Sequence, residues 1–215
     1  MVGIHVKIKN IRYYACCVCI VLGISMGYSV YATAIIDSDA DGVPDSIEKL
    51  FGTDAHKTDT DGDGYPDGIE ISAGFSPTNT KPIRLEKRIV IHISKQQLDK
   101  QLGGIAFETF SVSTGIKPYS TPLGTFTIKN KSKRAWSDIG KLWMPWWMQF
   151  TYVNVPTKGL KTVGIHELPE WPDGRKEGAS NLGHPASHGC VRLGVGPAKN
   201  VYDWAPIGTK VTVQQ

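Results

Sequence analysis

With 215 residues, 40% hydrophobic and 20% charged, the chain is long enough for one ordinary domain plus a small appendage around a real core. That balance excludes a disordered polypeptide, which buries too little apolar surface to offset its ordering entropy. The formal charge of +4 becomes informative only when it is divided along the chain.

The start carries Lys7, Lys9 and Arg12, and no acid occurs before Asp37. Ala15 to Val30 is almost wholly apolar, and Ala32-Thr33-Ala34 follows with small residues at both places a signal peptidase reads. This order predicts a secretory signal peptide over 1–34, with an uncleaved anchor helix as the competing reading. The apolar run falls short of the ~20 residues that span a bilayer comfortably. Cys16, Cys17 and Cys19 lie inside it, so cleavage after Ala34 would leave Cys190 alone. A lone thiol in an oxidising compartment makes no internal disulfide and is either buried and inert or reactive. The expected location is exported, in the periplasm or cell wall.

Residues 37–80 hold eleven acids against Lys49 and Lys57, whereas 81–215 hold nineteen Lys and Arg against nine acids. Such asymmetry predicts two units with different partners, 35–80 and 81–215, joined by a linker at Thr78 to Pro82. The acidic unit repeats itself after 22 residues. Asp37, Asp39, Asp41, Asp45 and Glu48, with Gly42, are matched by Asp59, Asp61, Asp63, Asp67 and Glu70, with Gly64. Carboxylates at positions 1, 3, 5, 9 and 12 around a turn glycine suit a hard cation, Ca2+ rather than Mg2+. Pro44 and Pro66 stand at position 8, where an EF-hand is apolar. The stretch resembles thrombospondin type 3 repeats, and the expected role of the ion is structural, as a stiffener of a spacer. A solvated acidic linker is the alternative.

From Arg84 the sequence predicts β-structure. Arg88–Ile93, Phe107–Val112, Gly124–Ile128 and Thr209–Val213 are rich in β-branched or aromatic residues. Gly103-Gly104 fits a hairpin turn between the first two of these, and Pro197–Trp204 a short helix with Pro197 in its first turn.

Chemistry concentrates in Gly164-Ile165-His166 and in Ser187-His188-Gly189-Cys190-Val191-Arg192-Leu193. A free thiol titrates near ~8.5 and is mostly protonated at neutral pH. A histidine in hydrogen-bond reach would convert it to a thiolate–imidazolium pair. Gly189 permits close backbone approach, the amides around Gly189 and Cys190 could form an oxyanion hole, and Arg192 could fork a substrate carboxylate. An inert thiol, or zinc held by Cys190 with His166, His184 and His188, are the competing readings, although His-x3-His-x-Cys is tight for zinc.

These two segments resemble the signature of the L,D-transpeptidase catalytic domain. Ser113-Thr114-Gly115, Thr121-Pro122-Leu123-Gly124, Met144-Pro145-Trp146-Trp147 and Gly208-Thr209-Lys210-Val211 agree in order. The resemblance runs from about Ile89 to Val213. It implies a mainly β, sandwich-like fold with one or two short helices, beside the small calcium-loop region. It further implies Cys190 as nucleophile, His166 as general base and His188 beside the thiol. Ser187 and Gly189 would shape the turn, and Arg192 would contact a carboxylate. No cofactor is implied for catalysis. The partners would be peptidoglycan stem peptides, with an amine acceptor on another stem or on a wall-linked protein.

Two features depart from the family pattern. Glu167 stands where a small residue is usual, and Glu170 to Glu177 look like an inserted loop that lengthens the wall over the site. Trp136, Trp143, Trp146, Trp147 and Trp171 are divided between groove and core readings. An L,D-carboxypeptidase or exchange enzyme would use the same thioester. A non-catalytic wall-binding module is the reading from another class. Net charge of the basic unit suits an anionic wall polymer, and export with no binding motif argues against nucleic acid.

Overall fold

The computed structural model describes residues 36–155 and 159–215. The segment read as a signal peptide, with Cys16, Cys17 and Cys19, lies outside the described residues. Nine strands form one hydrogen-bonded sheet: β1 (Lys87–His92), β2 (Gln97–Leu102), β3 (Ile105–Ser113), β4 (Gly124–Thr127), β5 (Asn130–Ser137), β6 (Leu142–Val155), β7 (Gly159–Glu167), β8 (Val191–Leu193) and β9 (Lys210–Gln214). Their order is β4-β9-β1-β2-β3-β8-β7-β6-β5. The helices among the described residues are short: α1 (Asp45–Phe51), α2 (Asp67–Ala73) and α3 (Pro197–Trp204). The mainly β expectation holds, with one α-helix in the basic region and two in the acidic one.

The hairpin at Gly103-Gly104 differs in its first arm. The turn joins β3 to β2, a strand whose sequence Gln97-Leu98-Asp99-Lys100-Gln101-Leu102 reads as polar. Alternation still rules it, because Leu98, Lys100 and Leu102 are buried while their neighbours are half-exposed. Both glycines have positive φ, 59° and 90°, which suits a two-residue turn matched to the sheet twist.

Ile89, Ile91, Leu98, Phe150, Ile165 and Val211 belong to the main core, and α3 contributes Ala198, Val201 and Trp204 to it. Pro197 opens α3 at its first turn. At the other end, Lys131 Nζ donates to the carbonyls of Tyr202 (2.5 Å) and Ala205 (2.8 Å), and Lys87 Nζ to that of Trp204 (3.1 Å). These cations satisfy the unpaired terminal carbonyls and favour the negative pole of the helix. Burial holds both lysines below the usual lysine range.

The acidic region is docked onto the basic one. Val43 and Ile71 form a second core with Leu102 of β2, flanked by Ile47, Phe51, Leu85 and Phe107. Burying side chains of this size stabilises by ~1.5–3 kcal/mol each. Phe51 meets Phe107 edge-on at 6.5 Å, and Phe107 meets Trp204 at 5.7 Å. Residues around the expected linker form a tight return: Ser76 N–H donates to Ile83 O (2.9 Å) and Leu85 N–H to Gly74 O (3.0 Å). Both regions therefore belong to one compact unit.

Candidate active site

The parallel pairing of β7 with β8 sets Ile165 opposite Val191, which brings Gly164 alongside Cys190. Glycine is required there, since a Cβ would lie 2.6 Å from Met148 O and 2.7 Å from the Trp147 ring. A cleft of about 230 Å3 opens at this point, and its walls include His166, Ser187, His188, Cys190 and Arg192. Residues 24 apart in sequence thus share one site.

The turn that carries the thiol is held from within and from behind. Ser187 Oγ donates to Cys190 O (2.5 Å) and accepts from Gly189 N–H (3.1 Å). Behind it, Thr114 O accepts from Ala186 N–H (2.9 Å) and Ser187 N–H (3.0 Å). Thr121 Oγ1 accepts from Gly115 N–H and donates to Gly189 O, each at 2.9 Å. A Cβ on Gly115 would lie 2.2 Å from Tyr119 O and 2.9 Å from Gly189 Cα, so the two chains meet only because glycine is present. Gly189 itself has φ +110°, a conformation that L side chains rarely adopt.

His166 is 2% exposed and its ring packs against Trp147, with centroids 5.9 Å apart. Its Nδ1 lies 2.5 Å from Glu167 O. A carbonyl only accepts, so Nδ1 carries the hydrogen and Nε2 keeps a lone pair. Burial lowers the imidazole to about 4, against an opposing contribution from the Glu167 carbonyl, and the Arg192 charge lowers it further. Burial likewise pushes the half-buried Cys190 thiol up, although the Gly164 backbone and Arg192 pull the other way. Both groups are therefore favoured in their uncharged forms at neutral pH. This differs from the thiolate–imidazolium pair expected of a thiol with a histidine in hydrogen-bond reach, because a dry site penalises each charge.

His188 is exposed, and its ring lies against Tyr119 at 5.2 Å. Arg192 is engaged by the chain itself: Nη1 donates to Glu177 Oε1 (3.0 Å) and Oε2 (3.2 Å). Glu177 belongs to the loop from Glu170 to Glu177, whose Lys176 also pairs with the buried Glu167 (2.8 Å) and whose Glu170 pairs with Arg134 (2.6 Å). The loop is thus pinned at three points. Of the five tryptophans singled out from the sequence, Trp136 lines the cleft and meets Trp143 edge-on at 4.9 Å, while Trp147 is buried behind His166. Trp146 packs on Tyr202 at the core, and Trp171 lies under Arg175.

Each acidic loop gathers its first three aspartates. One carboxylate oxygen from each of Asp37, Asp39 and Asp41 lies within 4.8 Å of the others, and the same holds for Asp59, Asp61 and Asp63. Glu48 and Glu70 are buried, and burial with neighbouring aspartates raises each to about 7. Asp39 Oδ2, Glu48 Oε2, Asp61 Oδ2 and Glu70 Oε2 are buried without a hydrogen-bond partner. Buried carboxylate oxygens left unmatched in this way fit a hard cation. Asp45 and Asp67 are used differently. Asp45 takes both the N–H and the hydroxyl of Ser38 at 2.8 Å, and Asp67 takes those of Thr60 at 2.9 and 2.7 Å. They tie the loop entrance, and neither joins the gathered groups.

The L,D-transpeptidase catalytic domain (YkuD) matches residues 86–213. The Bacillus subtilis (strain 168) protein YciB, provisionally named an L,D-transpeptidase, is 29% identical over 136 residues, covering 58% of this chain and 64% of its own. An L,D-transpeptidase from Mycobacterium smegmatis has a TM-score of 0.50 at 22% identity, over 62% of this chain and 61% of its own. The L,D-transpeptidase LdtMt1, solved in complex with imipenem, has a TM-score of 0.50 at 20% identity, again over 62% and 61%. The chain therefore spans less than two thirds of the length of these relatives, and the two solved structures bear on its fold. Since the domain match covers more than half of the chain, from β1 to β9, this protein belongs to the L,D-transpeptidase catalytic-domain family.

Proposed function

We propose that the protein is an exported cysteine acyltransferase that cross-links peptidoglycan stem peptides. The observation that carries this reading is the pairing in one cleft of Cys190 with a His166 whose Nε2 lone pair is free. His166 Nε2 takes the thiol proton as Sγ attacks the carbonyl between an L-centre of a diamino acid and the terminal D-alanine. A tetrahedral oxyanion forms. Because the Gly189 amide is already bonded to Ser187, the Cys190 amide and the exposed His188 are the donors left to face that oxyanion. His166 then returns the proton to the leaving D-alanine nitrogen, and a thioester remains. An amine on a second stem, or on a wall-linked protein, attacks the thioester and loses its proton to His166, and the thiol is restored.

Uncharged partners serve this cycle well, since each proton moves only as a bond forms or breaks. The acidic loops would bind two Ca2+, through Asp37, Asp39, Asp41 and Glu48 and through Asp59, Asp61, Asp63 and Glu70. The ions would neutralise carboxylates that otherwise repel. They take no part in the acyl transfer.

Imipenem bound to a family relative makes a carbapenem the natural probe. Incubation with imipenem is expected to add one adduct mass to the protein, and Cys190→Ala to abolish it. A folded protein with a reduced thiol and no adduct would refute the reading.

A further inference from the structure

Arg192 stands close to both members of the catalytic pair. The β7–β8 register sets it opposite His166, and alternation along a strand puts the two side chains on one face. Its Nη1 also reaches Ala186 O (3.4 Å), on the turn that carries the thiol. Its Nε is buried with no hydrogen-bond partner, so little water screens the charge. A bare cation in this place would draw the proton off Cys190, because a nearby positive charge favours the thiolate.

Glu177 answers that cation. Both of its oxygens accept from Arg192 Nη1, and the side chains of the pair are only 12% and 15% exposed. The other titratable groups on the cleft walls are His166 and Lys161 of β7, His188 of the thiol turn and Asp138 between β5 and β6. Among the described residues, the ion pair of Arg192 is with Glu177.

The loop that carries Glu177 is tied on every side. Glu170 exchanges backbone hydrogen bonds with Trp143 (2.8 and 3.0 Å), Glu177 N–H donates to Pro169 O (2.8 Å), and Asn181 Nδ2 donates to Glu177 Oε1 (3.2 Å). Alternation turns the buried Glu167 to the face opposite His166, where Lys176 pairs with it at 2.8 Å. The consecutive residues Lys176 and Glu177 thus meet one charge on each face.

From this geometry we propose that Glu177 is a positioning residue of the active site. By holding Arg192 and offsetting its charge, it keeps Cys190 a protonated thiol until substrate brings the proton transfer to His166. The sulfur is thereby withheld from electrophiles that need only a free thiolate. The proposal rests on Cys190 as the nucleophile of the transpeptidase reading above and adds the group that sets its resting state.

The test follows alkylation by iodoacetamide on the full chain from about pH 6 to 10, read by mass at the peptide that contains Cys190. The wild-type thiol should titrate above the ordinary ~8.5. Glu177→Gln should move that titration down by about one pH unit and speed alkylation at pH 7 about ten-fold. Glu177→Asp keeps the charge and should stay near wild type, whereas a merely structural role would lower Tm and leave the titration in place. Unchanged or slower alkylation in folded Glu177→Gln overturns the assignment, as does a Glu177→Asp that behaves like it. A wild-type thiol that titrates well below ~8.5 also overturns it, and that measurement needs no variant. Absence of the imipenem adduct in wild type would refute the transpeptidase reading and this role with it. An unmoved titration with the adduct present refutes the role of Glu177 alone.

Discussion

Acylation of Cys190 should be nearly independent of pH between about 5 and 8, because burial lowers His166 to about 4 and raises the thiol. At pH 5.5 an ordinary imidazole of pKa ~6.5 is only about one tenth neutral, whereas one at about 4 is nearly all neutral, a difference of roughly ten-fold in competent base. Sign matters for stability as well. The unfolded chain binds a proton at His166 that the folded chain refuses, so stability is full above pH 6.5 and is lost as pH falls towards about 4. For a residue 2% exposed, the loss is of the order of 3 kcal/mol. The assay is the rate of carbapenem adduct formation at closely spaced pH values, with thermal unfolding across the same range. An inflection near pH 6.5 would contradict the depressed imidazole. A rate that climbs ten-fold per pH unit between 6 and 8 would instead mean that free thiolate attacks, and that His166 is not the base.

Thr121→Val removes the hydroxyl that links Gly115 to Gly189; it should cost ~1–3 kcal/mol in urea unfolding and slow acylation, and an unchanged rate would free the turn from this buttress. Gly164→Ala should cost ~1–3 kcal/mol or more by overpacking against Met148 O and the Trp147 ring, read as a lower Tm; wild-type stability would mean that the ring gives way. Ile71→Ala should cost ~2–5 kcal/mol and lower a single unfolding transition, since its core includes Leu102 of the sheet. Chelation with EDTA should lower the same transition, seen by the tryptophans of the sheet. A Tm indifferent to EDTA would take calcium out of the account.

Local periodicity made much of the fold legible. Arg88–Ile93, Gly124–Ile128 and Thr209–Val213 overlap β1, β4 and β9, and Pro197–Trp204 is α3. β2 was hidden because Lys100 occupies an inward position, and its burial depends on groups distant in sequence. Its amine, 5% exposed as a residue, is matched by Glu108 and by Asn200 (2.9 Å) and lies over the Phe107 and Trp204 rings. A pattern rule sees a charge and assigns it to water, whereas the fold supplies partners that let it stay inside. The docking of the acidic region was hidden for a related reason. Its charge suggested a separate spacer, yet the few apolar residues between the aspartates, Val43 and Ile71 above all, are the ones that dock it.

The site divides along the same line. Within the turn, Ser187, Gly189 and Cys190 act on one another over three residues, so a short segment contained the information. His166 and Cys190 meet through a β7–β8 pairing that spacing alone does not give. Glu177 lay furthest from reach: the sequence marked its loop as extra, but nothing in the loop named Arg192 as the partner. That partnership changes the chemistry expected of the cleft. A guanidinium free to bind substrate would have favoured any carboxylate near the thiol. With Glu177 holding it, its remaining influence on the reaction is electrostatic, pulling both His166 and Cys190 downward in pKa from a fixed place. The loop therefore acts on the cleft from outside its lining, by fixing the place from which the Arg192 charge works.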